Sequence, residues 1–182
     1  MTANTYVSCS GKSTERFNST RFREAAGQFA SGIVIVTVFC KQSDTVRGMT
    51  ATSFTSVSLA PPLVLVSLSN TARMLSLVRE TGSFGISVLS AKQQNLSRLF
   101  AGQATAVRAD CFQYFAGIPM VAGALASFAC DSHAMIEAGD HTLVLGRVQE
   151  LEAAAGDPLL YFRSHYRTVR TMDEEFAYAS IF

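Results

Sequence analysis

Apolar and polar positions divide this chain into short strand-like runs separated by a few helical stretches. Ile33 to Phe39 is β-branched or aromatic almost throughout, which predicts a strand buried on both faces. Before it, Phe22, Ala25, Ala26 and Phe29 recur at helical spacing, with Ser19 or Thr20 placed as cap and Gly32 as stop. Gln42-Ser43-Asp44 has turn chemistry, so the following strand forms an antiparallel hairpin with the first. That second strand enters a hydroxyl-rich segment: Thr50, Thr52, Ser53, Thr55, Ser56 and Ser58. Pro61-Pro62 lacks backbone donors and suits a turn or strand start, after which Leu63 to Leu68 reads as strand.

After Ser69 the period lengthens. Asn70 or Thr71 can cap a short helix with Met74, Leu75 and Val78 on one face, ending near Gly82. Phe84 to Leu89 is a strand, and Ser90 opens a helix with Leu96, Leu99 and Phe100 on its apolar side. Gly102 to Asp110 reads as a small-residue loop. From Ala122 the chain returns to strand, with runs Ala124–Met135 and His141–Leu151 separated by Glu137-Ala138-Gly139-Asp140. Gly146 marks a bulge or a close backbone approach, and Pro158 starts a last strand, LLYF. About six strands with two or three helices predict a mainly antiparallel β-barrel with packed helices.

The 182 residues suit one domain, read as 19–182 behind a flexible polar leader, 1–18. Hydrophobic residues make up 48% and charged residues 16%, which excludes a disordered chain. A net charge of +1 excludes general attraction to nucleic acid or an anionic membrane. The longest early apolar run, Ile33 to Cys40, falls far short of the ~20 residues that cross a bilayer. Cys9, Cys40, Cys111 and Cys130 have no CxxC spacing, so a reduced cytoplasmic protein is the expectation.

No GxGxxG, GxxxxGK[ST] or GxSxG is present, and His133, His141 and His165 lack metal-ligand spacing. Redox work would therefore require a bound organic cofactor. Read alone, the hydroxyl-rich segment is either an ordinary Ser/Thr-rich strand and turn or a set of donors for phosphate or a polar ring edge. Gly139-Asp140-His141 is by itself a structural strand opening more readily than a catalytic one. The interleaved aromatics and bases of Tyr161 to Arg167 can stack a base, hold a phosphate or form a solvated chain end.

The segment GMTATSFTSVSLAPPLVLVSLS (48–69) resembles the cofactor-binding signature of the flavin reductase-like family. Four more stretches stand in that family's order: FREAAGQFASGIVIVT (22–37), GSFGISVLSAKQQNLSRLFAG (82–102), AGDHTLVLGRVQEL (138–151) and PLLYFRSHYRTV (158–169). The resemblance implies a mainly β fold, the FMN-binding split β-barrel (antiparallel, Greek-key-like) with packed helices. It implies an NAD(P)H:flavin oxidoreductase that takes hydride from NADH or NADPH, reduces FMN or FAD, and supplies reduced flavin to a separate oxygenase, often one acting on an aromatic substrate. A homodimer is implied as well.

By the same resemblance, Thr50, Ala51, Thr52 and Ser53 line the isoalloxazine or ribityl chain, with Ser67, Leu68 and Ser69 on the neighbouring strand. Asn70 and Thr71 help hold phosphate, while Phe100 and Gly102 approach the phosphate or ribityl. His141 of the Gly-Asp-His motif contacts the nicotinamide, with Tyr166 and Arg167 nearby. Ala72 and Arg73 replace the Ser or Thr usual in relatives; Arg73 either substitutes a charged contact or faces solvent. The alternatives are a flavin- or heme-binding module without activity, and an FMN-dependent oxidase of the pyridoxine-phosphate type, against which the Gly-Asp-His motif argues.

Overall fold

The computed structural model describes residues 18–102, 105–107 and 112–170. The expected leader up to residue 17, Cys9, Cys111 and residues 171–182 lie outside the described residues. The order of elements is α1 (Ser19–Ala26), β1 (Ser31–Gly32), β2 (Val34–Cys40), β3 (Thr45–Ala51), β4 (Thr55–Leu59), β5 (Pro62–Ser69), α2 (Arg73–Thr81) and β6 (Ser83–Val88). A short 3-10 turn (Ala91–Gln93), α3 (Gln94–Phe100), β7 (Thr105–Val107), β8 (Phe112–Phe115) and β9 (Ile118–Val121) follow. The chain continues through β10 (Ala126–Ala138), β11 (His141–Ala153), β12 (Leu160–Phe162) and β13 (His165–Arg167).

Eight strands form one sheet in the order β4-β5-β11-β10-β6-β2-β3-β7. Every pairing within it is antiparallel. The non-consecutive neighbours β5–β11, β10–β6, β6–β2 and β3–β7 produce the expected Greek-key-like crossings. β2 is buried on both sides because its side chains alternate between two cores. Val34, Val36 and Val38 join Val66, Leu68, Met74, Leu75, Phe84 and Val144. Ile35, with Ile33 just before the strand, joins Leu89, Phe100, Phe112, Val121 and Leu159. Each such side chain contributes about 1.5–3 kcal/mol by leaving water.

Local signals place several boundaries differently from the sequence reading. Asn18 caps α1, its side chain accepting from Thr20 N–H, and Gly27 closes the helix. The α1 face carrying Phe22 buries none of its residues. Ala72, which has no side-chain cap, begins α2, while Gly82 (φ +67°) ends it as expected. Ser90 and Gln93 form a capping box ahead of α3. The loop expected over 102–110 contains strand β7, paired to β3. The β8–β9 hairpin and β13 have no counterpart in the sequence reading; β9 docks by Thr37 Oγ1 donating to the Pro119 carbonyl and Ser87 Oγ accepting from Val121 N–H.

Gly146 is a close approach: a Cβ there would lie 2.7 Å from Phe84 Cζ and 2.8 Å from Cys130 Cβ. Cys40 and Cys130 are free and buried. Burial, aided by the nearby Asp131 charge, pushes the Cys130 thiol up to about 12, so it stays an inert packing group.

Candidate active site

Strand β5 sorts its residues by alternation. Val64, Val66 and Leu68 face the barrel core, which puts Ser67 and Ser69 on the opposite face. Strand β11 lies alongside in the register His141↔Ser69 and Leu143↔Ser67. The end of β3 and the residues after it approach from the other side. Together Met49, Thr50, Ala51, Thr52, Ser53, Ser67, Ser69, Ala72 and His141 line one cavity of about 310 Å³.

Three of the hydroxyls at this cavity, those of Thr50, Ser53 and Ser69, already have protein partners. Ser53 Oγ donates to the Ser67 carbonyl (2.9 Å) and accepts from Ser67 N–H (3.0 Å), bracing the turn against β5. Thr50 Oγ1 donates to the Ser97 carbonyl at 2.8 Å. Ser69 Oγ pairs with Thr71 Oγ1 at 3.0 Å and accepts from Thr71 N–H. Thr52, Ser53 and Phe54 lie between β3 and β4, outside both ladders, so this backbone is free to present N–H groups to a ligand. Among the described residues, no Lys, Arg, Asp or Glu lines the cavity. Uncharged walls with backbone donors and a single imidazole suit a neutral, polar-edged ring system, and in this respect the residues fit a flavin.

His141 opens β11 with its side chain 44% exposed, and its Nδ1 lies 2.8 Å from Asp140 Oδ1. The hydrogen bond to His141, then the charge of that imidazole, holds the Asp140 carboxyl below its ordinary value. With Nδ1–H donating to Asp140, neutral His141 presents Nε2 as an acceptor, and protonated His141 presents Nε2–H as a donor. No cluster of three metal-ligating side chains occurs among the described residues.

The remaining expected residues lie elsewhere. Leu68 is wholly buried in the core and offers only its backbone. The Asn70 side chain turns to Gly139 and Thr142, and Thr71 is exposed beside Ser69. Phe100 is fully buried against Phe112, close enough to exclude any Cβ from Gly48, and Gly102 is exposed. Arg73 is exposed and away from the cavity wall.

Tyr166 and Arg167 line a neighbouring cavity of about 790 Å³ with Ala91, Gln94, Leu159 and Arg170. Ser97 links the two cavities, taking Thr50 on its carbonyl while its Oγ meets Tyr166 Oη at 3.0 Å. Sequence reasoning missed Met49, Ser97 and the Asp140 carboxylate; only the Gly-Asp-His motif pointed to the last. A further cavity of about 280 Å³, between the β2–β3 turn and Gly117–Pro119, stands apart from this chemistry.

Residues 26–170 match the family described as flavin reductase like domain. An NADH-dependent flavin reductase from Rhodococcus sp is 46% identical over 154 residues, spanning 84% of this chain and 88% of that protein. The reductase component of 4-hydroxyphenylacetate 3-monooxygenase from Thermus thermophilus is 39% identical, over 80% of this chain and 93% of its own. The solved structure of the flavin reductase PheA2 superposes with a TM-score of 0.79 at 37% identity, covering 85% of this chain and all of that one. The split barrel, the hydroxyl-lined cavity and the Gly-Asp-His turn thus sit in a chain that belongs to the flavin reductase-like family.

Proposed function

We propose that the protein is an NAD(P)H:flavin oxidoreductase that reduces FMN or FAD and supplies reduced flavin to a partner oxygenase. The observation that carries this reading is convergence. Thr50–Ser53, Ser67, Ser69 and His141 meet at one cavity in a chain of this family. NADH is the proposed donor, in line with the NADH-dependent relative from Rhodococcus sp. An oxygenase acting on an aromatic substrate is the proposed partner, in line with the 4-hydroxyphenylacetate relative.

Bound flavin supplies the acceptor, N5, for the hydride that leaves nicotinamide C4. The residues of this chain hold and orient. Backbone groups of Thr50–Ser53 and of Ser67–Ser69 receive the ring and ribityl chain, and the pre-bonded hydroxyls of Thr50, Ser53 and Ser69 keep the wall rigid without adding charge. His141, steadied by Asp140, orients the nicotinamide, where alignment to about 3–3.5 Å accounts for most of the rate gain. Tyr166 and Arg167 offer an aromatic face and a cation to the nucleotide from the neighbouring cavity. Phe100 supports the wall by packing behind Gly48. A wall whose described residues carry no fixed cation favours modest flavin affinity, which suits a flavin released after reduction.

The test is NADH and NADPH oxidation by purified protein with FMN, FAD or no added flavin. Turnover is expected only with added flavin, and faster with NADH. No turnover in any combination, with a flavin or heme spectrum retained, would favour a non-catalytic binding module.

The proposal includes a homodimer. Its support is two large apolar side chains left in solvent: Phe29, just after α1, is 79% exposed, and Leu59, at the end of edge strand β4, is 96% exposed. Sedimentation is expected to give twice the 19.6 kDa chain mass. A monomer at micromolar concentration would remove this part of the reading. No helix among the described residues is long and apolar enough to cross a membrane, and the cytoplasm is the proposed location.

A further inference from the structure

The turn that presents His141 is tied down by one residue of the turn that follows β5. Asn70 N–H donates to the Asp140 carbonyl at 2.9 Å. Its Nδ2 donates to the Gly139 carbonyl at 3.0 Å, and its Oδ1 accepts from Thr142 Oγ1 at 2.7 Å. Three bonds from a single residue therefore land on Gly139, Asp140 and Thr142, the residues that flank His141. Thr142 is fully buried, so its hydroxyl depends on that acceptor, whereas the Gly139–Asp140 tip is exposed. An exposed two-residue tip joining two 13-residue strands frays unless it is tied down.

We propose that Asn70 is a positioning residue for hydride transfer, acting through His141 and not on the flavin phosphate. The inference rests on the flavin reductase reading above and deepens it. Asn70 directs both ends of its carboxamide at the Gly-Asp-His turn. It thereby keeps the imidazole opposite Ser69 on the cavity wall and Asp140 within reach of Nδ1. Without it the turn samples other arrangements, and the apparent affinity for the nicotinamide falls by the fraction of time His141 is misplaced.

Two variants separate this role from general damage. Asn70→Ala removes both side-chain bonds. Asn70→Asp keeps the acceptor for Thr142 and the backbone donor, but sets a carboxylate oxygen against the Gly139 carbonyl where the amide donated. Both are expected to raise KM for NADH by about tenfold while KM for FMN moves less than twofold. In a His141→Ala background, Asn70→Ala should add little to the loss in kcat/KM, because both changes remove the same interaction. In flavin-free protein, nitrogen NMR of His141 should show the Nδ1–H form in the parent and an averaged tautomer in the variants.

A raised KM for FMN with an unchanged KM for NADH would overturn the proposal in favour of a phosphate contact. Fully additive losses with His141→Ala, or an unchanged His141 spectrum, would overturn it as well. If the parent protein oxidises neither NADH nor NADPH, the reductase reading fails, and the NMR comparison still decides whether Asn70 sets His141.

Discussion

Replacing Gly85 by alanine is expected to destabilise the protein by about 2–4 kcal/mol, lowering Tm by roughly 5–15 °C. Gly85 is buried in β6 under the β8–β9 hairpin. A Cβ there would stand 2.5 Å from Thr37 Oγ1, 2.6 Å from the Pro119 carbonyl oxygen and 2.9 Å from Met120 Cε. The methionine end can swing away, but the carbonyl is backbone, and the threonine hydroxyl is bonded to that same carbonyl. Relief therefore lifts β9 off the sheet and strains the second tie, Val121 N–H to Ser87 Oγ. Gly32, where an added Cβ would meet no atom within 4 Å, is the matched control and should tolerate alanine. Thermal melts of the two variants decide the matter: equal losses, or none at Gly85, would show that the hairpin is not held in this way.

His141→Ala should lower kcat/KM for NADH by about 10- to 100-fold, with flavin affinity changed less than about threefold. The half-exposed ring contributes little to the core, so the melt should stay within about 0.5 kcal/mol of the parent. Asp140→Asn keeps an acceptor for Nδ1 but removes the charge, and an intermediate loss is expected. Asp140 has a carboxyl held below its ordinary 3.8, so it is ionised at any ordinary assay pH. Its contribution is present above that value and is lost only as pH falls through the lowered one, so an acid limb above pH ~5 does not arise from Asp140. Steady-state kinetics at varied NADH with fixed FMN check the prediction. A variant within twofold of the parent would remove His141 from the reaction.

Much of the scaffold is legible in short windows. The β-branched run of β2 can satisfy both faces only inside a sheet covered on both sides, and that is where it lies. Gly82 ends its helix where expected, and the Glu137–Asp140 separator shrinks to a Gly139–Asp140 turn because Glu137 and Ala138 pair with Thr142 and His141. The β8–β9 hairpin is less readable, because FQYFAGIPMV alternates weakly and its burial is set by Thr37 and Gly85, far away in the chain.

The candidate site divides along the same line. Thr50–Ser53, Ser67, Ser69 and His141 are expected together from the sequence, and they line one cavity. Asn70, by contrast, reads locally as a helix cap, yet its partners lie 69 and 72 residues onward. Phe100 reads as a cofactor neighbour, yet its ring fills the space that Gly48 leaves open. Tyr166 and Arg167 lie in their own cavity, joined to the first through Ser97.

Strand and turn chemistry, the family resemblance and the identity of the cavity's hydroxyls are all written in the order of residues, because each is carried by neighbours within a turn or by alternation along one strand. Which hydroxyls are already bonded, which side chain holds the His141 turn and which aromatic is buried are settled only in the folded chain. Those outcomes depend on register between β5 and β11 and on contacts closed across the sheet, and no local period encodes them.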